Sequence, residues 1–262
     1  MESWVIPKEL LDAVPDSPYS WPAKLWKRRS ATARSRESGF TLNQIFRLLA
    51  EGPRGEAGDL LDVGAGTGRI ALRVASVGWR VTAVERDSGM LEGLRSEAEG
   101  QPIDVVEGSW PDVSVGHFTV SLASHVAYDV ADIGPFLRAL AEHGSTVILE
   151  VTDQHPWVGL GPLYLQLHGL ERPVGPSADD LVAVVEEVTG TSPSVERWRR
   201  PGDLWFKNWD EAVAYYGRRL VLPSERWDEL RDLLQNRLID EDGRLVPVGG
   251  DHQLVTIWWA SG

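Results

Sequence analysis

Gly64-Ala65-Gly66-Thr67-Gly68 follows directly on the apolar run Leu60-Leu61-Asp62-Val63, and this is where the chain concentrates its chemistry. A sharp strand-to-helix bend without Cβ atoms lets a ligand approach backbone amides at a helix N-terminus. Two phosphate-binding patterns are set aside by spacing. A dinucleotide turn wants its third glycine at residue 69, which is Arg69 here, and no Gly-Lys-Ser/Thr closes a P-loop. The absence of cysteine removes thiolate nucleophiles, disulfides and thiolate metal sites, so the chemistry must use other groups.

These residues need a frame. The spacing predicts a strand at Leu60 to Val63, a helix from Arg69 to Val77 stopped by Gly78, and a second strand from Arg80 to Val84 ending at Glu85. Ser88 is expected to cap a helix running through Glu99, with strands at Ile103 to Val106 and Phe118 to Ala123 following. A helix over Asp132 to His143 leads to a strand at Thr146 to Val151. This alternation of strands and helices implies a parallel sheet covered on both faces. Further on, the pattern gives a helix at Ser177 to Thr189, a strand near Val195 to Arg199, helices near Asp210 to Leu220 and Ser224 to Leu238, and a last strand at Leu254 to Ala260. Helical segments near Ala23 to Arg36 and Leu42 to Ala50 precede the sheet.

The glycine turn, its preceding Asp62 and the acidic Glu85 together resemble the class I S-adenosylmethionine-dependent methyltransferases. The resemblance covers about Asp59 to Val151. It implies a Rossmann-like fold: a mainly parallel seven-stranded sheet with helices on both faces, an N-terminal helical arm over residues 1–58, and a methyltransferase domain over 59–262. Segments near 157–176 and 208–240 are then insertions expected to form a lid over the acceptor. The cofactor implied is S-adenosyl-L-methionine, with Gly64, Ala65, Gly66 and Gly68 beneath its methionine part. Asp62 is similar to the carboxylate that holds the cationic amino end. Glu85 corresponds to the group accepting both ribose hydroxyls. Arg86 flanks the ribose, and Met90 is either a wall against the base or core packing. After the third strand Gly108, Ser109 and Trp110 reach the adenine position, where Ser109 replaces the family's usual acidic or polar contact and Trp110 either stacks on the base or covers the sheet.

Methyl transfer is a displacement at carbon, so the protein mainly aligns the nucleophile and handles a leaving proton. The acceptor should approach past the fourth strand, at Ser124-His125-Val126-Ala127-Tyr128-Asp129. His125 is the leading general-base candidate because imidazole titrates near neutral pH. His155, after the fifth strand, is expected on the same edge. Tyr128 either orients an acceptor hydroxyl or bridges helix and sheet. Asp129 and Asp153 lack a clear third ligand, so no metal is assigned.

The acceptor class follows from charge and motif. With 26 basic against 39 acidic residues the net charge is −13, a field that repels polyanions. The Asn/Asp/Ser-Pro-Pro-aromatic motif of base-amino methyltransferases is missing as well. A small-molecule acceptor methylated at oxygen or nitrogen is therefore expected and nucleic acid disfavoured. Trp157, Trp205 and Trp209 with Tyr19, Trp21 and Trp26 are candidates for an aromatic pocket wall. One local exception to the acidic balance, the basic segment Lys24 to Arg36, keeps open a protein or structured RNA acceptor. A cofactor-binding scaffold without turnover is the other alternative. No apolar run approaches the roughly 20 residues of a membrane span and no leader pattern is visible, so a cytoplasmic protein without membrane partners is expected. The oligomeric state is open.

Overall fold

The computed structural model describes residues 6–14, 18, 25, 28, 39–51 and 58–262. Most of the basic segment Lys24 to Arg36, and Tyr19, Trp21 and Trp26, lie outside the described residues. In chain order the elements are α1 (Lys8–Asp12), α2 (Phe40–Ala50), β1 (Asp59–Val63), α3 (Ala71–Ala75), β2 (Arg80–Glu85), α4 (Ser88–Ala98), β3 (Ile103–Glu107), β4 (Phe118–Ser124), α5 (Ile133–His143) and β5 (Gly144–Thr152). They continue with α6 (Gly161–His168), α7 (Ala178–Thr189), β6 (Ser194–Arg200), α8 (Trp209–Arg219), α9 (Trp227–Leu234), β7 (Leu238–Glu241), β8 (Arg244–Pro247) and β9 (His252–Ala260). Among the described residues no helix is long and apolar enough to cross a membrane.

The chain divides into two compact units. The larger, Ala23–Gln154 with Pro176–Arg200 and His252–Gly262, holds a seven-stranded sheet in the order β3-β2-β1-β4-β5-β9-β6. Strands β3 to β5 pair in parallel, whereas β9 runs antiparallel to both of its neighbours. Side chains alternate across the strands because successive Cβ atoms point to opposite faces. Leu60, Leu122 and Ile148 thus pack with Leu42, Ile45 and Val74 on one face, while Leu61, Ala123 and Leu149 pack with Leu137, Leu140 and Val185 on the other. Trp258 and Trp259 divide in the same way. Each fully buried leucine stabilises the fold by about 1.5–3 kcal/mol.

The smaller unit, Met1–Pro22 with His155–Gly175 and Pro201–Asp251, has its own core of Leu163, Tyr164, Phe206, Tyr216, Leu230 and Leu234. Its hairpin β7–β8 turns on Asp242 and Gly243, both at positive φ (52° and 76°), the geometry of a tight two-residue turn.

Several expected boundaries are corrected. The helix predicted from Arg69 to Val77 is only regular over Ala71–Ala75, because Gly68 at φ +84° delays its start. Asp87, not Ser88, caps α4, its Oδ1 accepting from the Met90 N–H at 2.8 Å. The helix expected over Ser224 to Leu238 is a 3-10 turn plus α9 and stops at Leu234, since Leu238 already begins β7.

Candidate functional site

The three glycines of the turn do different work. Gly64, at φ +70°, leaves room for Val126, whose Cγ2 lies 2.4 Å from where a Cβ would sit. Gly68 gives the same clearance to Leu94 and Leu72, locking turn to helix. Gly66, at φ +58°, has nothing within 4 Å of its Cβ position, so the turn is open there. Ala65 is buried beside it and donates its N–H to the Val84 carbonyl at 3.0 Å.

Two carboxylates flank this opening. Asp62 on β1 is 3% exposed and accepts from the Ala71 N–H at 3.2 Å. Burial raises its carboxyl to about 7, against the pull of Arg69 and the Ala71 N–H. Glu85 ends β2 and turns back to the glycines: its Oε2 accepts from the Gly66 N–H, and its Oε1 accepts from the Arg86 and Asp87 N–H groups, all at 2.8 Å. Three backbone donors thereby fix the carboxylate without exhausting its lone pairs.

Met90 is buried on the first turn of α4, and the Arg86 side chain is exposed. Gly108 sits at φ +158° with Val113 filling its Cβ space, and its N–H binds the Glu85 carbonyl at 3.0 Å, so the β3 end is tied to the β2 end. The Ser109 carbonyl accepts from the Asp112 N–H at 2.8 Å. Trp110 packs on the core under α5 and donates its indole N–H to the Phe136 carbonyl at 3.3 Å.

Past β4 lies a cluster that sequence reasoning missed. Ser124 and Glu150 are register partners on β4 and β5. Glu150, 0% exposed, accepts on Oε1 from the Ser124 hydroxyl at 2.9 Å and from the Arg69 guanidinium, which also reaches Ser124 Oγ at 2.6 Å. His125 Nε2 lies 3.3 Å from the same oxygen. Burial opposes ionisation of Glu150, but Arg69 and His125 overcome it and hold the carboxyl well below its ordinary range. Burial likewise lowers His125, offset in part by Glu150. The signal in the sequence was a single glutamate inside the otherwise apolar Val147 to Val151, a charge that needs a partner.

Proton bookkeeping assigns the His125 tautomer. The Thr152 N–H donates to Tyr128 Oη at 2.5 Å, and the Thr152 hydroxyl to the Gln154 carbonyl at 2.5 Å. With the Thr152 proton spent on Gln154, the Tyr128 hydroxyl donates to Thr152 Oγ1 at 2.8 Å, and the bond between His125 and Tyr128 Oη at 3.1 Å takes its proton from Nδ1. Nδ1 is thus engaged by Tyr128, while Nε2 is buried 3.3 Å from Glu150 Oε1 without a hydrogen bond. Tyr128 itself bridges to Thr152, and burial raises its phenol above the ordinary value despite those bonds. His155 belongs to the smaller unit, where its Nδ1 accepts from the Trp157 N–H at 3.2 Å. Asp153 pairs with Arg197 Nε at 3.1 Å, and among the described residues no three His, Asp or Glu side chains group as a metal site.

Strand order, glycine turn and the acid ending β2 now stand together, and residues 61–143 match the methyltransferase-domain family. The chain has the fold of a methyltransferase domain. The ribosomal RNA small subunit methyltransferase A of Anaeromyxobacter sp. (strain K) is 32% identical over 171 residues, which is 63% of this chain and 57% of that protein. The chain thus spans little more than half the length of this curated relative. The probable enzyme of the same name from Halobacterium salinarum is 42% identical over 81 residues, covering 29% of this chain and 28% of its own. Among solved structures, a putative methyltransferase from Bacillus halodurans superposes with TM-score 0.54 at 16% identity, covering 84% of this chain and 98% of that one. The magnesium protoporphyrin IX methyltransferase of Synechocystis with SAH bound gives 0.50 at 10% identity, covering 95% and 93%. These likenesses concern the fold of the methyltransferase domain.

Proposed function

We propose that the protein transfers the methyl group of S-adenosylmethionine to an oxygen or nitrogen atom of a small-molecule acceptor. The observation that carries this reading is Gly66, open where a Cβ would sit and joined through its N–H to the strand-end carboxylate of Glu85. A cofactor with an amino acid end and a ribose diol fits that donor set: Asp62 would hold the ammonium and Glu85 the two hydroxyls. Gly64, Ala65, Gly66 and Gly68 would lie beneath the methionine part, with Arg86, Met90, Gly108 and Ser109 around ribose and base. When bound, S-adenosylmethionine supplies a sulfonium-activated methyl group. The chain's own residues contribute alignment and exclusion of water at the ends of β4 and β5. His125 and Tyr128 would act there as oriented walls, and no general base is assigned.

The small-molecule reading draws on the net charge of −13 and on Ser124-His125-Val126-Ala127-Tyr128 after β4. We assign acceptor selection to the segments 157–176 and 208–240. A second reading, structured RNA as acceptor, is favoured by the names of the curated relatives. Acceptor binding that weakens steeply with salt would select it over the first.

Calorimetric titration with S-adenosylmethionine and S-adenosylhomocysteine, with NAD as control, tests the cofactor. Selective binding of the sulfur nucleosides is expected, and selective NAD binding would overturn the reading. In the same assay Glu85→Gln should weaken S-adenosylhomocysteine binding about 10- to 100-fold, since hydrogen bonds to a charged group contribute about 1.5–3 kcal/mol. An unchanged Kd would remove Glu85 from the pocket.

A further inference from the structure

We propose that Glu150 is a positioning residue, which fastens the cofactor turn and the segment after β4 to one carboxylate oxygen. The inference rests on the methyltransferase reading for its purpose and on geometry for its substance. Arg69 comes from the glycine turn and Ser124 and His125 from the end of β4, yet all three converge on Glu150 Oε1. The Glu150 carbonyl also accepts the His125 N–H at 2.8 Å. His125 is held at φ +59°, a conformation a side chain with a Cβ rarely adopts without outside support. Val126, the next residue, occupies the space beside Gly64, so the turn and this segment interlock.

Stability alone accounts poorly for this arrangement. Glu150 Oε2 is buried without a hydrogen-bond partner, and a buried ion pair is often no better for stability than apolar residues of equal volume. What the pair supplies is a fixed geometry at the strand ends where donor and acceptor must meet. It also gives Arg69, the residue that breaks the dinucleotide spacing, a task of its own.

The charged and titratable groups facing His125 are Glu150 from β5, Arg69 from the turn, Arg200 at the end of β6 and Tyr128 from the turn after β4. Removing either member of the Arg69–Glu150 pair must therefore move the imidazole titration in opposite directions. The test is histidine-ring nitrogen NMR on the full chain, with the His125 signal assigned by its loss in His125→Gln. The wild type should show Nδ1 protonated at neutral pH. Glu150→Gln should shift the titration of His125 downward and Arg69→Met upward. Calorimetry with S-adenosylhomocysteine should show each substitution weakening binding about tenfold, with the double variant no worse than either single one, the signature of a shared interaction. Ser124→Ala, which removes one donor and leaves the charges in place, should weaken binding about threefold with an unchanged circular dichroism spectrum, and it serves where a charge variant fails to fold. A His125 titration that does not move, or moves the same way in both single variants, overturns the proposal, as does unchanged affinity in all of them. Failure of the wild type to bind S-adenosylhomocysteine at all would sink the methyltransferase reading instead, and the NMR arms would still decide whether Glu150 positions His125.

Discussion

Asp62→Asn should make the ligand-free protein more stable above neutral pH while weakening its hold on the cofactor. In the fold this carboxyl ionises at about 7, against 3.8 for the free group, because burial outweighs its favourable partners. An acid whose folded value is raised favours the fold most at low pH. That contribution is lost as pH climbs from about 4 to about 7 and stays lost above. The whole effect is at most roughly 4 kcal/mol, and the amide's own unpaired N–H group offsets part of it. Asparagine still offers an oxygen to the Ala71 N–H but has nothing to ionise. Urea unfolding at pH 5 and pH 8 should therefore show the wild type losing stability between the two values relative to the variant. Identical pH dependence in both proteins would show that Asp62 is not a strained carboxylate. The same group should make cofactor affinity fall as pH drops below 7, by up to about tenfold per unit, because an ammonium favours the ionised form. The variant should lack that slope.

The second large effect separates two glycines that look interchangeable in the sequence. Gly68→Ala places a Cβ 2.6 Å from Leu94 Cδ1 and 2.9 Å from Leu72, both buried, at φ +84°. Positive φ and overpacking together should cost about 2–4 kcal/mol of stability. Gly66→Ala meets no atom, so its stability cost should be only about 1 kcal/mol of backbone strain. Its methyl group would occupy the opening itself, so S-adenosylhomocysteine affinity should fall at least about tenfold. Melting curves and calorimetry on the two variants read these effects separately. Equal melting temperatures, or a Gly66→Ala protein that binds normally, would overturn the division of labour.

Much of this was legible because it is local. The strands β1 to β5 were predicted to within about two residues at each end, since apolar runs bounded by turn residues state their own limits. Trp258 and Trp259, adjacent on β9, fall on opposite faces as strand geometry requires. What escaped was non-local or was signalled by a pair of residues. The Asp242-Gly243 turn carried a hairpin signal, yet Leu233, Leu234 and Leu238 read as continued helix. Glu150 was visible as a charge in an apolar strand, but its partner stood far away in sequence at Arg69. His125 was found for its titration range and proved to be defined by its neighbours, because burial and two protein partners decide what an imidazole can do.

The order of the sheet also bears on how the protein is born. Among the described residues strand β6 pairs with β9 alone, so during synthesis residues 194–200 are complete long before the strand that will cover them, at 252–260, exists. Until then β6 is a bare sheet edge in a nascent chain. Its sequence suits that interval: Glu196, Arg197 and Arg199 crowd charge onto a strand that would otherwise invite pairing with a neighbouring polypeptide. Charge that is ordinary surface in the finished protein is, for the chain still being made, a guard against aggregation.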